Sequence, residues 1–186
     1  MAVRSYSIKQ FGKTHKLSHN FTLGELQSKC GHDMVLVDDD LILLLQKIRD
    51  HFKEPVTINS GYRTEAHNMK IGGSPNSQHK HGKAADVIVR NVTPLQVAQF
   101  AESQLVSGIG HYPAGQGNFC HVDVRDGFVR WEQRNGREVA VAGFGGTPDY
   151  AFIVQQKTGF NNDTMNYLKA YKYQEAMFEK LAKAMR

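Results

Sequence analysis

Cysteine is scarce in this chain, and long hydrophobic runs are absent. The two cysteines among its 186 residues, Cys30 and Cys120, lie far apart and match no CxxC spacing. A cysteine-based zinc knuckle and a disulfide-dense scaffold are therefore excluded, and two buried free thiols are expected instead. Because no run approaches the ~18 apolar residues that a bilayer span needs, an integral membrane protein is not expected either.

The chain also lacks a dense cluster of basic residues and has few prolines. The chain carries 23 Lys and Arg against 18 Asp and Glu, and the resulting net charge of +5 suits an anionic polymer as partner. No basic run and no stripe of alternating basic and aromatic residues is present, so recognition of nucleic acid is not expected. With only five prolines and no repeat or low-complexity tract, the sequence gives no sign of several domains joined by linkers.

The hydrophobic pattern predicts one α+β domain over residues 21–146. Apolar residues recur at helical spacing in some segments and form alternating or β-branched clusters in others. Helices are predicted at 21–29, 37–52 and 92–105, and strands at 56–60, 85–90, 108–112 and 118–125. Asn135 and Gly136 lie between two alternating segments, which indicates an added hairpin. Residues 1–20 are polar and are predicted to be an irregular lead-in.

A C-terminal helical extension is predicted over residues 147–186. The glycine-rich segment 143–150 marks its boundary with the domain. Apolar residues recur at helical spacing between Leu168 and Met185, with basic residues among them, as in an amphipathic helix. Docking of this helix on the domain is one interpretation, and anchoring to an anionic polymer or self-association is the other.

Candidate metal ligands stand in the segment 77–86 and in the last predicted strand. His79 and Asp86 are ligand types that zinc takes, and a catalytic zinc site normally has three protein ligands and one open position. His121 is the best candidate for the third ligand, because alternation places it with other polar side chains on one face of strand 118–125. A half-exposed strand with solvated polar residues would give the same alternation.

Taken together, these motifs resemble the zinc D-alanyl-D-alanine peptidase family of bacterial wall enzymes and phage endolysins. The fixed residues of its SxHxxGxAxD motif are all present, as Ser77, His79, Gly82, Ala84 and Asp86. The family's later strand histidine has its counterpart in FCHVDVR, and its upstream arginine in NSGYR. The resemblance covers about residues 21–131 and implies a small antiparallel sheet that carries a zinc site and is flanked by helices.

The resemblance also implies roles for particular side chains. His79, Asp86 and His121 would hold one zinc ion with an open coordination position. Arg63 would sit over the cleft and bind the scissile carbonyl or a substrate carboxylate, for which a planar guanidinium is suited. Ser77 would hydrogen-bond the substrate main chain. A structural ion pair for Arg63 and a capping role for Ser77 are the alternatives.

The general base is harder to assign. Many relatives carry an ionisable residue a few positions before the last zinc histidine, but the residue three before His121 is Asn118, which does not accept a proton at neutral pH. Asp123 is favoured, because the sequence looks most like a subgroup with an HxDxR strand motif, and His111 is the second candidate. Asp123 could instead orient a zinc histidine or pair with Arg125.

These features predict a zinc metallopeptidase that hydrolyses an amide bond in peptidoglycan stem peptides. It would be a D,D-carboxypeptidase or an L,D- or D,D-endopeptidase; a catalytically inactive, zinc-containing wall- or tail-binding module is the alternative, because Asn118 stands where a base is usual. No secretory signal is read in the first ten residues. An endolysin-like phage enzyme is therefore expected, which is either released from the host cytoplasm through a holin or carried on the virion.

Overall fold

The computed structural model describes residues 2–146, which form two β-sheets with helices packed against them. The strands are β1 (Val3–Ser7), β2 (Met34–Asp38), β3 (Val56–Ser60), β4 (Ala84–Val89), β5 (Gly108–Tyr112), β6 (Phe119–Asp123), β7 (Val129–Arg134) and β8 (Arg137–Ala140). The helices are α1 (Ile8–Phe11), α2 (Leu23–Leu26), α3 (Asp39–Phe52), α4 (Glu65–Lys70) and α5 (Pro94–Ser103), and Gln78–His81 form a 3₁₀ turn. The predicted α+β class is confirmed.

The large sheet has six strands in the order β3-β4-β6-β5-β7-β8. Its neighbouring strands are antiparallel, except that β5 and β7 run parallel. Helices α3 and α5 pack on one face and share a hydrophobic core with the apolar side chains of β4, β5 and β6. Asp86 on β4 and His121 and Asp123 on β6 point to the other face, as alternation requires.

The two long helices begin where the sequence supplies capping groups. Asp38 caps α3 by accepting the backbone N–H of Asp40, and the helix then buries five aliphatic side chains from Leu41 to Ile48. Helix α5 has Pro94 at its first turn and a capping box between Thr93 and Gln96. Both helices therefore start at the residues that the sequence predicts, within one or two positions.

Replacing Thr93 with alanine is expected to lower the free energy of unfolding by about 1 kcal/mol, because the first turn of α5 loses its cap. The Thr93 hydroxyl accepts the Gln96 N–H at 3.3 Å. Denaturant unfolding measures the change. Thr14, an exposed residue in a turn, provides the matched control, and Thr14→Ala should stay within about 0.5 kcal/mol of wild type. Equal stability of the two variants would contradict the capping role.

Some predicted elements need correction. Residues 3–7 are a strand rather than part of an irregular lead-in, because β1 pairs antiparallel with β2 along its whole length. The polar composition of β1 conceals this pairing, and β2 was missed because its apolar residues run directly into α3. Cys120 is buried as expected, but Cys30 is exposed.

The predicted hairpin is confirmed. Asn135 and Gly136 have φ angles of 50° and 76°, the positive values of a type I′ turn between β7 and β8. Within residues 2–146, no helix has the length and apolar character needed to cross a bilayer. The predicted C-terminal helix lies outside the described residues, and the division at residues 21 and 146 stays a prediction.

Candidate metal centre

Three buried side chains converge on the face of the large sheet opposite to α3 and α5. His79 belongs to the 3₁₀ turn, whereas Asp86 on β4 and His121 on β6 lie directly opposite each other in register. His79 Nε2 lies 3.2 Å from both Asp86 Oδ1 and His121 Nδ1, and these last two atoms are 2.8 Å apart. Among the residues that the structure describes, no other group of three or more such side chains converges in this way.

The turn between the first two of these residues is closed by a glycine. Gly82 has a φ of 67°, and a Cβ at this position would lie 2.4 Å from the Leu36 carbonyl oxygen on β2. The Gly82 carbonyl also accepts the Asp38 N–H at 2.9 Å. The small β1–β2 sheet therefore holds the turn that carries His79 at the start of β4.

In each of the two histidines, the outer ring nitrogen, which points away from the other two residues, faces a hydrogen-bond acceptor. His79 Nδ1 lies 2.7 Å from the Gly61 carbonyl oxygen, and His121 Nε2 lies 3.0 Å from Asp123 Oδ2. A nitrogen that faces such an acceptor carries the proton, which leaves the lone pair on the other ring nitrogen. The inner nitrogens of both rings and the carboxylate of Asp86 are thus three lone-pair donors that face one another. Three such donors facing one point are the arrangement that holds a metal cation.

A zinc ion fits this donor set. Two imidazole nitrogens and one carboxylate oxygen are typical of a catalytic zinc site. Bond lengths of about 2.0–2.1 Å around a tetrahedral ion place its ligand atoms about 3.3 Å apart. The observed separations of 2.8–3.2 Å are close to that value.

The electrostatics of the group also favour a bound cation. Burial lowers the pKa of His79, so that its imidazole stays neutral. Burial acts against the charged forms of Asp86 and His121 too, but their mutual contacts outweigh it. These contacts hold the pKa of Asp86 well below its usual range, and hydrogen bonds with Asp123 and Asp86 raise the pKa of His121 to about 9. The carboxylates of Asp86 and Asp123, which lie on either side of the His121 ring, therefore attract positive charge to this group.

Comparison with known families agrees with this geometry. Residues 19–123, more than half of the chain, match the family model described as Peptidase M15. The chain belongs to the Peptidase M15 family. All three residues of the convergent group lie inside the matched range. The resemblance read from the sequence is thereby confirmed at the level of the zinc peptidase family, and the HxDxR subgroup stays a prediction.

A curated relative of this M15 peptidase comes from Haemophilus influenzae and is named probable peptidoglycan L,D-endopeptidase MepK. The two sequences are 36% identical over 73 residues. The matched segment covers 37% of this chain and 38% of the relative. The chain therefore spans well under half the length of that protein.

Asp123 lies beside His121, on the side of the ring away from Asp86 and His79. Its side chain is fully buried, and its carboxylate lies against Gly108, where a Cβ would approach Oδ2 to 2.1 Å. Oδ2 receives the N–H of His121, and both oxygens accept from the Arg125 guanidinium. Although burial raises the pKa of Asp123, these contacts hold it well below its usual range. This geometry matches the orienting role that the sequence left as an alternative.

Arg63 and Ser77 lie beside the convergent group. Arg63 Nη2 donates to Asp86 Oδ2 at 2.6 Å and Nε donates to Ser60 Oγ at 2.7 Å, so the structure shows the ion pair that was the alternative to substrate binding. Ser77 precedes the 3₁₀ turn, but its side chain makes no capping hydrogen bond. The predicted capping alternative for Ser77 is therefore not what the structure shows.

His111 is not brought to the metal group, which corrects its place among the catalytic candidates. On β5 the residue opposite His121 is Gly110, and His111 pairs with Cys120, whose side chain belongs to the helix-covered core. Because neighbouring residues of a strand point to opposite faces, the His111 ring lies on the other face of the sheet. There its Nδ1 contacts Glu132 Oε1 at 3.2 Å.

One aromatic neighbour of the group was missed by sequence reasoning. The ring of Trp131 on β7 lies against that of His121, with centroids 4.9 Å apart. Trp131 stands opposite Gly110 in the parallel pairing of β5 and β7. The sequence offered one indication of this contact, Gly110 on β5, next to the strand that carries His121. A glycine inside a strand often marks the close approach of another group.

Proposed function

We propose that this M15 peptidase is a zinc-dependent peptidoglycan peptidase that hydrolyses an amide bond in wall stem peptides. The convergence of His79, Asp86 and His121 as three lone-pair donors carries the proposal. The name of the H. influenzae relative supports a peptidoglycan substrate, and it favours L,D-endopeptidase over D,D-carboxypeptidase or D,D-endopeptidase activity.

The three convergent residues would hold the ion, and the rest of the site would serve the substrate. When bound, zinc would supply a Lewis acid that activates water near neutral pH and polarises the scissile carbonyl. The face of the sheet opposite to α3 and α5, where His79, Asp86 and His121 lie, is the side from which a peptide would approach.

Arg63 has the position and the chemistry to bind the substrate. Its contacts with Asp86 and Ser60 hold the guanidinium beside the metal group. They engage only some of its five N–H donors, so others can bind the scissile carbonyl oxygen or a substrate carboxylate. Ser77, with no capping bond, is proposed to contact the substrate main chain.

Asp123 is proposed to orient His121 rather than to accept the proton of the attacking water. A general base needs an oxygen within reach of that water. Both oxygens of Asp123 already accept hydrogen bonds from its neighbours, and its side chain has no exposed surface. Its role is then to keep the proton on His121 Nε2, and so the lone pair on Nδ1.

The inactive wall- or tail-binding module is the second candidate function. It is favoured by Asn118, which the structure places with a φ of 55° in the loop before β6, where many relatives have an ionisable residue. Such a module would keep the zinc ligands and release no product. The endolysin context and the route to the wall stay predictions from the sequence.

Digestion of purified peptidoglycan separates these functions. The full-length protein with zinc is expected to release new amine termini, and mass spectrometry of the muropeptides identifies the bond. Removal of the metal with a chelator should abolish release, and added zinc should restore it. Zinc binding at one ion per chain without any product would support the binding module, and failure to bind zinc would contradict both candidates.

A further inference from the structure

The β7–β8 hairpin brings a fixed indole to the metal group. Trp131 lies beyond residue 123, where the family match ends, yet its ring contacts that of His121 at an angle of 51°. Nothing in the M15 match or in the named relative assigns a role to this residue. The hairpin is therefore joined to the site by a direct contact with a candidate ligand.

Gly110 provides the space for this contact. A Cβ at Gly110 would lie 2.4 Å from Trp131 Cε2, and the indole nitrogen would be nearly as close. Only glycine lets the indole lie against β5 at this position. The absence of a side chain at Gly110 thus allows Trp131 to reach the neighbouring ring of His121.

Hydrogen bonds fix the orientation of the indole. Trp131 Nε1 donates to Tyr112 Oη at 3.0 Å, and Tyr112 in turn donates to Glu138 on β8. The Tyr112 ring is itself stacked on Phe119, with centroids 4.2 Å apart. On another side the Arg125 guanidinium lies 5.6 Å from the Trp131 ring centroid. The indole is thus held by Tyr112 of β5, whose hydroxyl is itself bound to Glu138 of β8.

We propose that Trp131 is a positioning residue for His121, which makes the hairpin part of the metal centre; this inference rests on the metal site of the proposed function. The hydrogen bond to Asp123 fixes one point of the imidazole at Nε2, but the ring can still tilt about that point. Packing against a fixed indole restricts that tilt and so holds Nδ1 toward His79 and Asp86.

Zinc affinity of the full-length protein tests the inference. Trp131→Ala is expected to weaken zinc binding about 10-fold, as loss of a residue that orients a ligand does. Trp131→Phe should restore affinity to within about 3-fold of wild type, because a ring again packs on His121. Competition with a chromophoric chelator measures these affinities without any substrate. Val139→Ala is the control, since Val139 is exposed on the opposite face of the same hairpin and should not change zinc binding.

Intrinsic fluorescence gives an independent signal, because Trp131 is the only tryptophan in the chain. Titration of the metal-free protein with zinc should change its emission and saturate near one ion per chain. In His79→Ala the indole remains, and this change should be lost. An emission that stays constant while wild type binds zinc would contradict a contact between the indole and the metal centre.

The outcomes separate the inference from the proposed function. If wild type does not bind zinc, the proposed function fails. If wild type binds zinc and a folded Trp131→Ala variant binds it equally tightly, only the inference is overturned; thermal unfolding of the metal-free proteins shows whether the variant is folded.

If Trp131→Ala does not fold, Tyr112→Phe replaces it, since that variant keeps both rings and removes the acceptor of the indole N–H. Tyr112→Phe should weaken zinc binding about 3-fold, and unchanged affinity would overturn the inference.

Discussion

Replacement of His121 with alanine is expected to abolish both zinc binding and peptide hydrolysis. His121 Nδ1 is one of three atoms that face the same point, so its removal leaves two ligands. The loss of zinc affinity should exceed the 10–100-fold that is typical for residues that only support a ligand. Metal analysis of the purified protein and mass spectrometry of digested muropeptides measure the two effects.

His81→Ala is the matched control for this variant. His81 is exposed, ends the same 3₁₀ turn as His79 and is not part of the convergent group. It should retain one zinc ion per chain and the full rate of hydrolysis. A His121→Ala protein that still carries stoichiometric zinc would show that the metal, if functional, is bound elsewhere.

Asp123→Asn is expected to weaken zinc binding about 10–100-fold and to lower turnover at limiting zinc. Asparagine removes the charge that accepts the His121 N–H and leaves the Arg125 guanidinium without its carboxylate partner. The tautomer with a lone pair on His121 Nδ1 is then no longer favoured. Calorimetric titration with zinc measures the affinity, and excess zinc should recover much of the turnover.

The same variant also tests the competing role of Asp123 as general base. If Asp123 accepts the water proton, Asp123→Asn should bind zinc like wild type and remain inactive at any zinc concentration. Asp126→Asn serves as the control, because Asp126 is exposed three residues further along the chain. It should change neither property.

The three convergent residues could be read from the sequence to a large extent. The spacing of His79 and Asp86 falls in a motif with a glycine between them, and alternation alone places His121 on a polar strand face. The resemblance implied that His121 and Asp86 share one ion, and their meeting depends on the pairing of β4 with β6, which the register shows. Local pattern and family motif therefore lead to the same three residues.

The remaining features depend on contacts that a local pattern does not contain. His111 lies on the face of the sheet away from the metal group, because the register of β5 against β6 puts Gly110 opposite His121. The place of Trp131 depends on a parallel pairing between β5 and β7, whose register is not encoded in either strand alone. The orienting geometry of Asp123 depends on the directions in which the His121 ring and the Arg125 guanidinium point. Alternation along a strand does not specify these directions.

The closure of the Gly82 turn on β2 has a consequence for how the protein would lose a bound metal. Two of the candidate ligands lie on the large sheet, but the turn that carries His79 also rests on the small one. Separate parts of a protein open with different free energies, and a two-stranded sheet is weaker than a six-stranded one. Opening of the contact between β2 and this turn would therefore loosen His79 and weaken the hold on a bound ion, while Asp86 and His121 stay paired on the large sheet.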